Sequence, residues 1–462
     1  MKNLNIITLL FFGILISSCE SDFLEPELTS RVNGSNYFNS SDEIEMAVVN
    51  MYDGLQGVNS TSANDNHATQ VEFYLTEMRS DNTQTKQSEG EAAQFENYTI
   101  EANNGIVLDY YRSFYNVIYR ANLVLANLTA AADDDRNRFE AEAKFVRAHA
   151  YFNLVRLYGS VPLITDVIGP DNTTAAYTRA PLADIYSRIK DDLSFATSNL
   201  TNGSRTRASR AAAQGLLAKV HLTLGEYNDA KTQLEAVINS DDYRLEDDFS
   251  DVFYTEANSE TIFAIGYNPG GDDSQNFSAE WLNAVGRTSG VNYVTDDARE
   301  ALDDVGGSRT IVSYRQDVAQ PQFYQVAKFL PSEDFDPTKA GNDWIILRYA
   351  DILLMYGEAV LAGQAGTTDD TALRHFNAVR ARAGRPDANA ITKASLLQER
   401  RVELAFENHR LFDLIRFGMA QEILSDFAAE TGASFTANDL LLPIPQREIG
   451  LSQGLLSQNP GY

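Results

Sequence analysis

The segment from Phe139 to Tyr158 places apolar or small residues at 141, 145, 148, 152 and 155, a spacing that a helix gathers onto one face, and Gly159 follows as a stop. One helix is expected there, burying Phe145, Phe152 and Val155. The habit returns in Ala208 to Leu224, after which Leu224-Gly225-Glu226-Tyr227 turns the chain into a second helix carrying Ala230, Leu234, Val237 and Ile238. A further hairpin is read from Tyr349 to Leu361, with Gly363 to Asp370 as its turn and Ala372, Phe376 and Val379 as the inner face of its partner. Helix pairs that stack in this way let a chain of 462 residues, 44% hydrophobic, fold as one compact body. The fold class expected is all-α.

The order Gly225, Tyr227, Ala230 resembles the middle of a tetratricopeptide repeat, where glycine permits the tight turn and alanine lets paired helices approach. Two stretches, about 59–100 and 249–339, lack helical periodicity and are rich in Gly, Asn, Asp, Ser and Thr. Long irregular segments inside a folded body are often binding surfaces, so the ligand site is expected in them.

The N-terminus sets the compartment. Lys2 precedes an apolar run from Leu4 to Ile16, and Ser17 and Ser18 lead into Cys19, the chain's single cysteine. The run is too short to span a bilayer, which takes about 20 apolar residues. Ile16-Ser17-Ser18-Cys19 resembles a bacterial lipobox, so 1–18 is expected to be a cleaved signal, Cys19 to be lipidated, 19–33 to form a tether and 34–462 the folded domain. Glu20, Ser21 and Asp22 resemble the signal that sends lipoproteins to the outer face of the outer membrane.

A net charge of -28 disfavours nucleic acid and anionic membrane surfaces as partners. The five histidines are scattered without a pair at i, i+4, and one cysteine cannot build a thiolate site, so no metal is expected. There is no nucleophile elbow and no phosphate-binding glycine loop; Asn268-Pro269-Gly270-Gly271 reads as a turn. Neither an enzyme nor a cofactor is expected.

Motifs spread along the chain then converge on one family. They include Glu77-Met78-Arg79-Ser80-Asp81-Asn82, the block Glu142 to Ala148 with Tyr151-Phe152, and Leu157-Tyr158-Gly159-Ser160-Val161-Pro162-Leu163. The later half adds Leu347-Arg348-Tyr349-Ala350-Asp351, Asn377-Ala378-Val379-Arg380, Glu399-Arg400-Arg401-Val402-Glu403-Leu404, Phe412-Asp413-Leu414 and the terminal Gln458-Asn459-Pro460-Gly461-Tyr462. From about Tyr37 to Tyr462 this ordered set resembles the SusD/RagB family. The resemblance implies about four helix pairs of tetratricopeptide type, an irregular ligand-binding region with little strand, and a non-catalytic role. It also implies capture of glycan at the cell surface for a SusC-like TonB-dependent outer-membrane transporter. A helical-repeat lipoprotein that binds peptides or other proteins is the alternative.

Glu399, Glu403 and Glu407 stand at i, i+4 and i+8, where unpaired like charges repel. Arg348, Arg380, Arg382, Arg410 and Arg416 are the expected partners in a network tying the C-terminal helices together. A glycosidase would instead need two carboxyls facing each other across an open cleft. Sugars present flat C–H faces to aromatic rings, so the ligand contacts expected are Trp281, Tyr267, Tyr293 and Tyr98, with Asp65 and Asn66 for hydroxyls. Trp344 is read instead as packing against the helix that follows it.

Overall fold

The computed structural model describes residues 37–57, 68–85, 90–169, 171–270, 273–275, 277, 292–317, 320–330 and 339–462. Cys19, the signal and the whole of the tether lie outside these residues, as do Asp65, Asn66 and Trp281. Among the described residues no helix is long and apolar enough to cross a membrane.

The helices that carry the fold are α1 (Ser41–Gln56), α2 (Ala68–Leu75), α3 (Gly105–Ala126), α4 (Asp133–Tyr158), α5 (Leu182–Asn199), α6 (Arg210–Leu224) and α7 (Tyr227–Ile238). After them come α8 (Asp296–Val305), α9 (Tyr349–Leu361), α10 (Asp370–Arg382), α11 (Lys393–Glu403), α12 (Arg410–Arg416) and α13 (Ala420–Thr431). They pack as four successive pairs, α1 with α3, α4 with α5, α6 with α7 and α9 with α10, each pair leaning on the next. The expected helix of 139–158 is α4. It starts six residues earlier because Asp133, Asp134 and Asp135 favour the positive end of the helix dipole, and it stops at Gly159 as expected. α4 is buried around most of its circumference, since both α3 and α5 cover it.

Two glycines set the geometry of these pairs. Gly225, at φ 71°, takes the left-handed conformation that ends α6 and donates its N–H to the carbonyls of His221 and Leu222. A Cβ on Gly215 would lie 2.3 Å from Leu347 and 2.9 Å from Ile352, so only glycine lets α6 approach the segment that leads into α9.

The irregular stretches hold more structure than their sequence suggests. α2 falls in the first, and its Val71, Glu72, Phe73, Tyr74 and Leu75 are all buried. A helix covered on every side shows no amphipathic period, which is why periodicity misses it. The second holds α8, capped by Thr295, with only Ala298 and Leu302 buried. Eight short strands are described: β1 (Thr83–Gln84), β2 (Thr261–Ile265), β3 (Tyr293–Val294), β4 (Tyr314–Gln316), β5 (Tyr324–Val326), β6 (Trp344–Arg348), β7 (Gly366–Thr367) and β8 (Ile391–Thr392). All pair antiparallel in twos: β1 with β3, β2 with β6, β4 with β5 and β7 with β8. Trp344, in β6, packs on Phe329 and Phe277 at ring separations of 4.7 and 5.6 Å.

Candidate functional site

β1 belongs to the first irregular stretch and β3 to the second, and their pairing, Thr83 with Val294 and Gln84 with Tyr293, joins the two into one surface. The Glu77-to-Asn82 motif locks this junction to the C-terminal helices. Both Asp81 carboxylate oxygens accept from Arg410 at 2.7 Å, Arg401 lies 3.0 Å away, and Thr295 Oγ1 donates to the Asp81 carbonyl at 2.8 Å. Burial works to raise the Asp81 pKa, but Arg401 and Arg410 outweigh it and hold the carboxyl far below its usual range. Glu77 has a weaker set: burial pushes it up to about 7 although Asn82 Nδ2 donates to it at 2.9 Å.

The glutamate network forms with three of the expected partners, Arg348, Arg380 and Arg382, joined by Arg309 and Lys328 in place of Arg410 and Arg416. Glu399 is bound by Arg309 and Arg380, Glu403 by Arg309, Arg348 and Arg382, and Glu407 by Arg348 and Lys328. Arg410 and Arg416 pair elsewhere, with Asp81 and with Glu358 and Asp413. Glu407 is not in the column of α11, which ends at Glu403; Phe406 and Asn408 beyond it have φ of 64° and 62°. Arg309 and Lys328 come from the second irregular stretch, so this network clamps the irregular surface onto α11. With every one of these glutamates buried in ion pairs, none faces a partner across an open cleft as glycoside hydrolysis requires.

The three expected tyrosines that can be placed are packing residues. Tyr98, 7% exposed, donates its hydroxyl to the Arg79 carbonyl at 3.2 Å and meets Phe435 edge-on. Tyr267 is 3% exposed and shares a 3.1 Å hydrogen bond with Thr69 Oγ1. Tyr293, 1% exposed, stacks on Phe323 at 4.4 Å. None turns a ring face to solvent, which corrects the expectation for these positions. Tyr98 and Tyr267 belong to the main hydrophobic core, so the irregular segments send these rings inward rather than to a ligand.

Two rings that do reach the surface stand on the β4–β5 hairpin, which lies beside β3. Tyr314 and Tyr324 are half-buried and meet edge-on at 5.6 Å. The Arg299 guanidinium lies 5.2 Å from the Tyr324 ring centre, and Tyr314 donates its hydroxyl to Asp303 at 2.6 Å. Burial, then Asp303, pushes the Tyr314 hydroxyl up to about 12. Ile311, just before the hairpin, is 81% exposed. The signal for this platform was available, since tyrosines open two short runs on either side of Pro321.

A cleft of about 670 Å³ opens between α1 and the chain from Ala264 to Asp273. It adjoins a second cavity of about 250 Å³, and Glu256 and Asp343 line both. Asp53 and Asp273 add two carboxylates, Asp53 being paired with Arg120 at 2.8 Å, and Arg207, which also lines the cleft, is engaged by Glu142 at 2.8 Å and by Glu45. Burial pushes the Asp343 carboxyl up to about 6, and Glu256 and Asp273 add to the rise. Such a lining accepts hydrogen bonds from hydroxyls and repels anions. Among the described residues, His221, Glu226 and Asp229 alone bring three ligand atoms within reach of one ion, but Lys190 already holds both Glu226 oxygens at 2.8 and 3.1 Å.

Two family profiles match this chain, one described as "Starch-binding associating with outer membrane" over residues 22–222 and one described as the SusD family over 316–462. A SusD-like protein of Formosa agariphila, P2, is 28% identical, the match covering 81% of this chain and 84% of the relative. A SusD-like protein of Bacteroides ovatus is 24% identical, with 87% and 80% covered. Among solved structures, a laminarin-binding SusD-like protein has a TM-score of 0.76 at 27% identity, with 92% of this chain and 100% of that one covered. A SusD homologue of Bacteroides thetaiotaomicron has a TM-score of 0.77 at 23% identity, covering 94% and 99%, and shares the fold. With profiles matched in order at both ends and the same helix-pair architecture between them, the chain belongs to the SusD/RagB family, whose glycan-binding proteins are non-catalytic.

Proposed function

We propose that this protein captures oligosaccharide or polysaccharide at the cell surface and delivers it, chemically unaltered, to a SusC-like TonB-dependent transporter. The likeness to a laminarin-binding protein over 92% of the chain at 27% identity carries this reading. In it the sugar lies where the two irregular stretches meet. Tyr314 and Tyr324 stack its C–H faces, Trp281 adds a further ring, and Asp65 and Asn66 bind hydroxyls. Residues 1–18 are removed, lipid on Cys19 holds the protein at the outer face of the outer membrane, and 19–33 tether the domain at 34–462; a family profile described as associating with the outer membrane supports this placement.

Affinity electrophoresis of the chain from residue 20, run against neutral and anionic polysaccharides beside Trp281→Ala and Tyr324→Ala, tests the reading. Retardation by a glycan, weakened in both variants, is the expected result. If no glycan retards the chain the saccharide reading fails, and if retardation survives both substitutions the site is elsewhere.

A further inference from the structure

A small polar cavity of about 50 Å³ lies where α2, α4, α6, β6 and the turn before α12 meet, with neither hairpin ring in its lining. Most charges around it are matched. Lys219 pairs with Asp351 at 2.8 Å, Arg400 with Asp351 and Asp413 at 2.8 and 2.9 Å, and Arg416 with Asp413 at 2.8 Å. Arg156 is different: no carboxylate lies within 4 Å of it among the described residues, and its guanidinium sits between the rings of Phe152 and Phe412, 4.0 and 3.8 Å from their centres. Burial pulls its pKa down to about 10 while Glu72 resists that fall; burial raises the Glu72 pKa while Arg156 resists that rise. The two charges therefore feel each other without touching.

The hydrogen bonds around the cavity form a chain with a loose end. Arg156 donates to Asn153 Oδ1, which turns the Asn153 amide nitrogen toward His149 Nε2 at 3.2 Å. Nε2 then accepts, so the proton of this neutral imidazole sits on Nδ1, and Nδ1 has no partner among the described residues. Burial, with Arg156 and Lys219 nearby, lowers the His149 pKa to about 3, so the ring stays neutral. His149 is 4% exposed. The Asn408 side chain, 7% exposed, hydrogen-bonds loosely to Glu72 and so helps hold its carboxyl down, while neither amide atom makes a close, well-aligned hydrogen bond among the described residues.

We infer that this cavity binds a small cluster of water molecules, held by His149 Nδ1–H and the Asn408 amide, that bridges Arg156 and Glu72 as a water-separated ion pair. About 10–15 Å³ of such volume admits one water, so the space suffices for a few. The Nδ1–H and the Asn408 nitrogen need acceptors, while the Asn408 oxygen needs a donor and Glu72, whose Oε2 already accepts from Tyr110 at 3.1 Å, can take more. A halide serves only the first pair and is repelled by Glu72; water serves both. The cluster ties α2, at the edge of the first irregular stretch, to α4 in the helical scaffold.

Crystals of the chain from residue 20, grown with bromide as the sole halide, test this. The expected result is density within about 2.7–3.2 Å of His149 Nδ1 and of the Asn408 amide, without bromide anomalous signal. A bromide peak there, or a site without ordered density at a resolution that shows other buried waters, overturns the inference. In His149→Phe the peak at Nδ1 should vanish while those between Asn408 and Glu72 remain; an unchanged cluster would remove His149 from the site.

Discussion

The helix pairs and the irregular surface are held by different forces. α6 and α7 pack on each other and bury apolar residues such as Ala212, Ala230 and Leu234, a burial whose strength depends on area and little on direction. The irregular stretches also send apolar side chains such as Phe253, Phe277, Val294 and Phe329 into the core, but buried ion pairs fix their arrangement as well: Arg309 to Glu399 and Glu403, Lys328 to Glu407, Arg348 to Glu260, Arg410 to Asp81. Such pairs add little net stability relative to an apolar core of the same shape, but each is directional. A repeat scaffold thus presents a non-repeating surface in one defined arrangement.

The sharpest way to break this comparison is to remove one charge and one apolar side chain. Arg348→Met leaves Glu260, Glu403 and Glu407 short of a cation and should cost on the order of 3–5 kcal/mol in denaturant titration, with glycan retardation lost in the protein that remains folded. Leu234→Ala should cost roughly 2–5 kcal/mol but leave retardation by glycan intact. Equal loss of binding in the two variants would erase the distinction.

Acid separates the regions next. Arg400 and Arg416 overcome burial and hold Asp413 at about 2, a carboxyl depressed below its unfolded value, so its stabilisation is present above about pH 4 and is lost as pH falls toward 2. That contribution is on the order of 2 kcal/mol. Glu77 and Glu96, beside the junction, shift the other way: burial pushes both up to about 7, so their folded forms favour the proton and stability is lost as pH rises from about 4 through 7. Thermal melts should show Tm rising modestly from pH 8 to about pH 5 and falling steeply below pH 4. A Tm that climbs steadily from pH 4 to 8 would contradict these assignments.

Charge at the cleft gives a smaller effect. Asp53, Glu256, Asp273 and Asp343 should make a sulfated derivative of a bound neutral glycan at least roughly tenfold weaker in affinity electrophoresis. The smallest effect expected is at the hairpin. Tyr324→Ala should weaken binding about 3–10-fold, the scale of one ring contact, with Tm nearly unchanged because the ring is only half-buried.

The same division explains what could be read from the sequence. α4, the α6–α7 hairpin and α9–α10 announce themselves through apolar period and a terminal glycine or cap. α2 does not, because burial on all sides erases the period. The ionic column on α11 was visible, but its partners Arg309 and Lys328 lie 90 and 79 residues away from Glu399 and Glu407, and no local pattern links such pairs. Tyr98, Tyr267 and Tyr293 read as ligand contacts because irregular sequence suggests a surface; in space they are buried packing residues. Of the three, Tyr293 stacks on Phe323, the neighbour of Tyr324 in the hairpin.

Hydrogen–deuterium exchange of the chain from residue 20, with and without the glycan that retards it most, tests the division of labour directly. Protection gained within 59–100 and 249–339, with the amides of α5, α6 and α7 unchanged, is the result this account predicts. Protection centred on those helix pairs, with none in the irregular stretches, would contradict it.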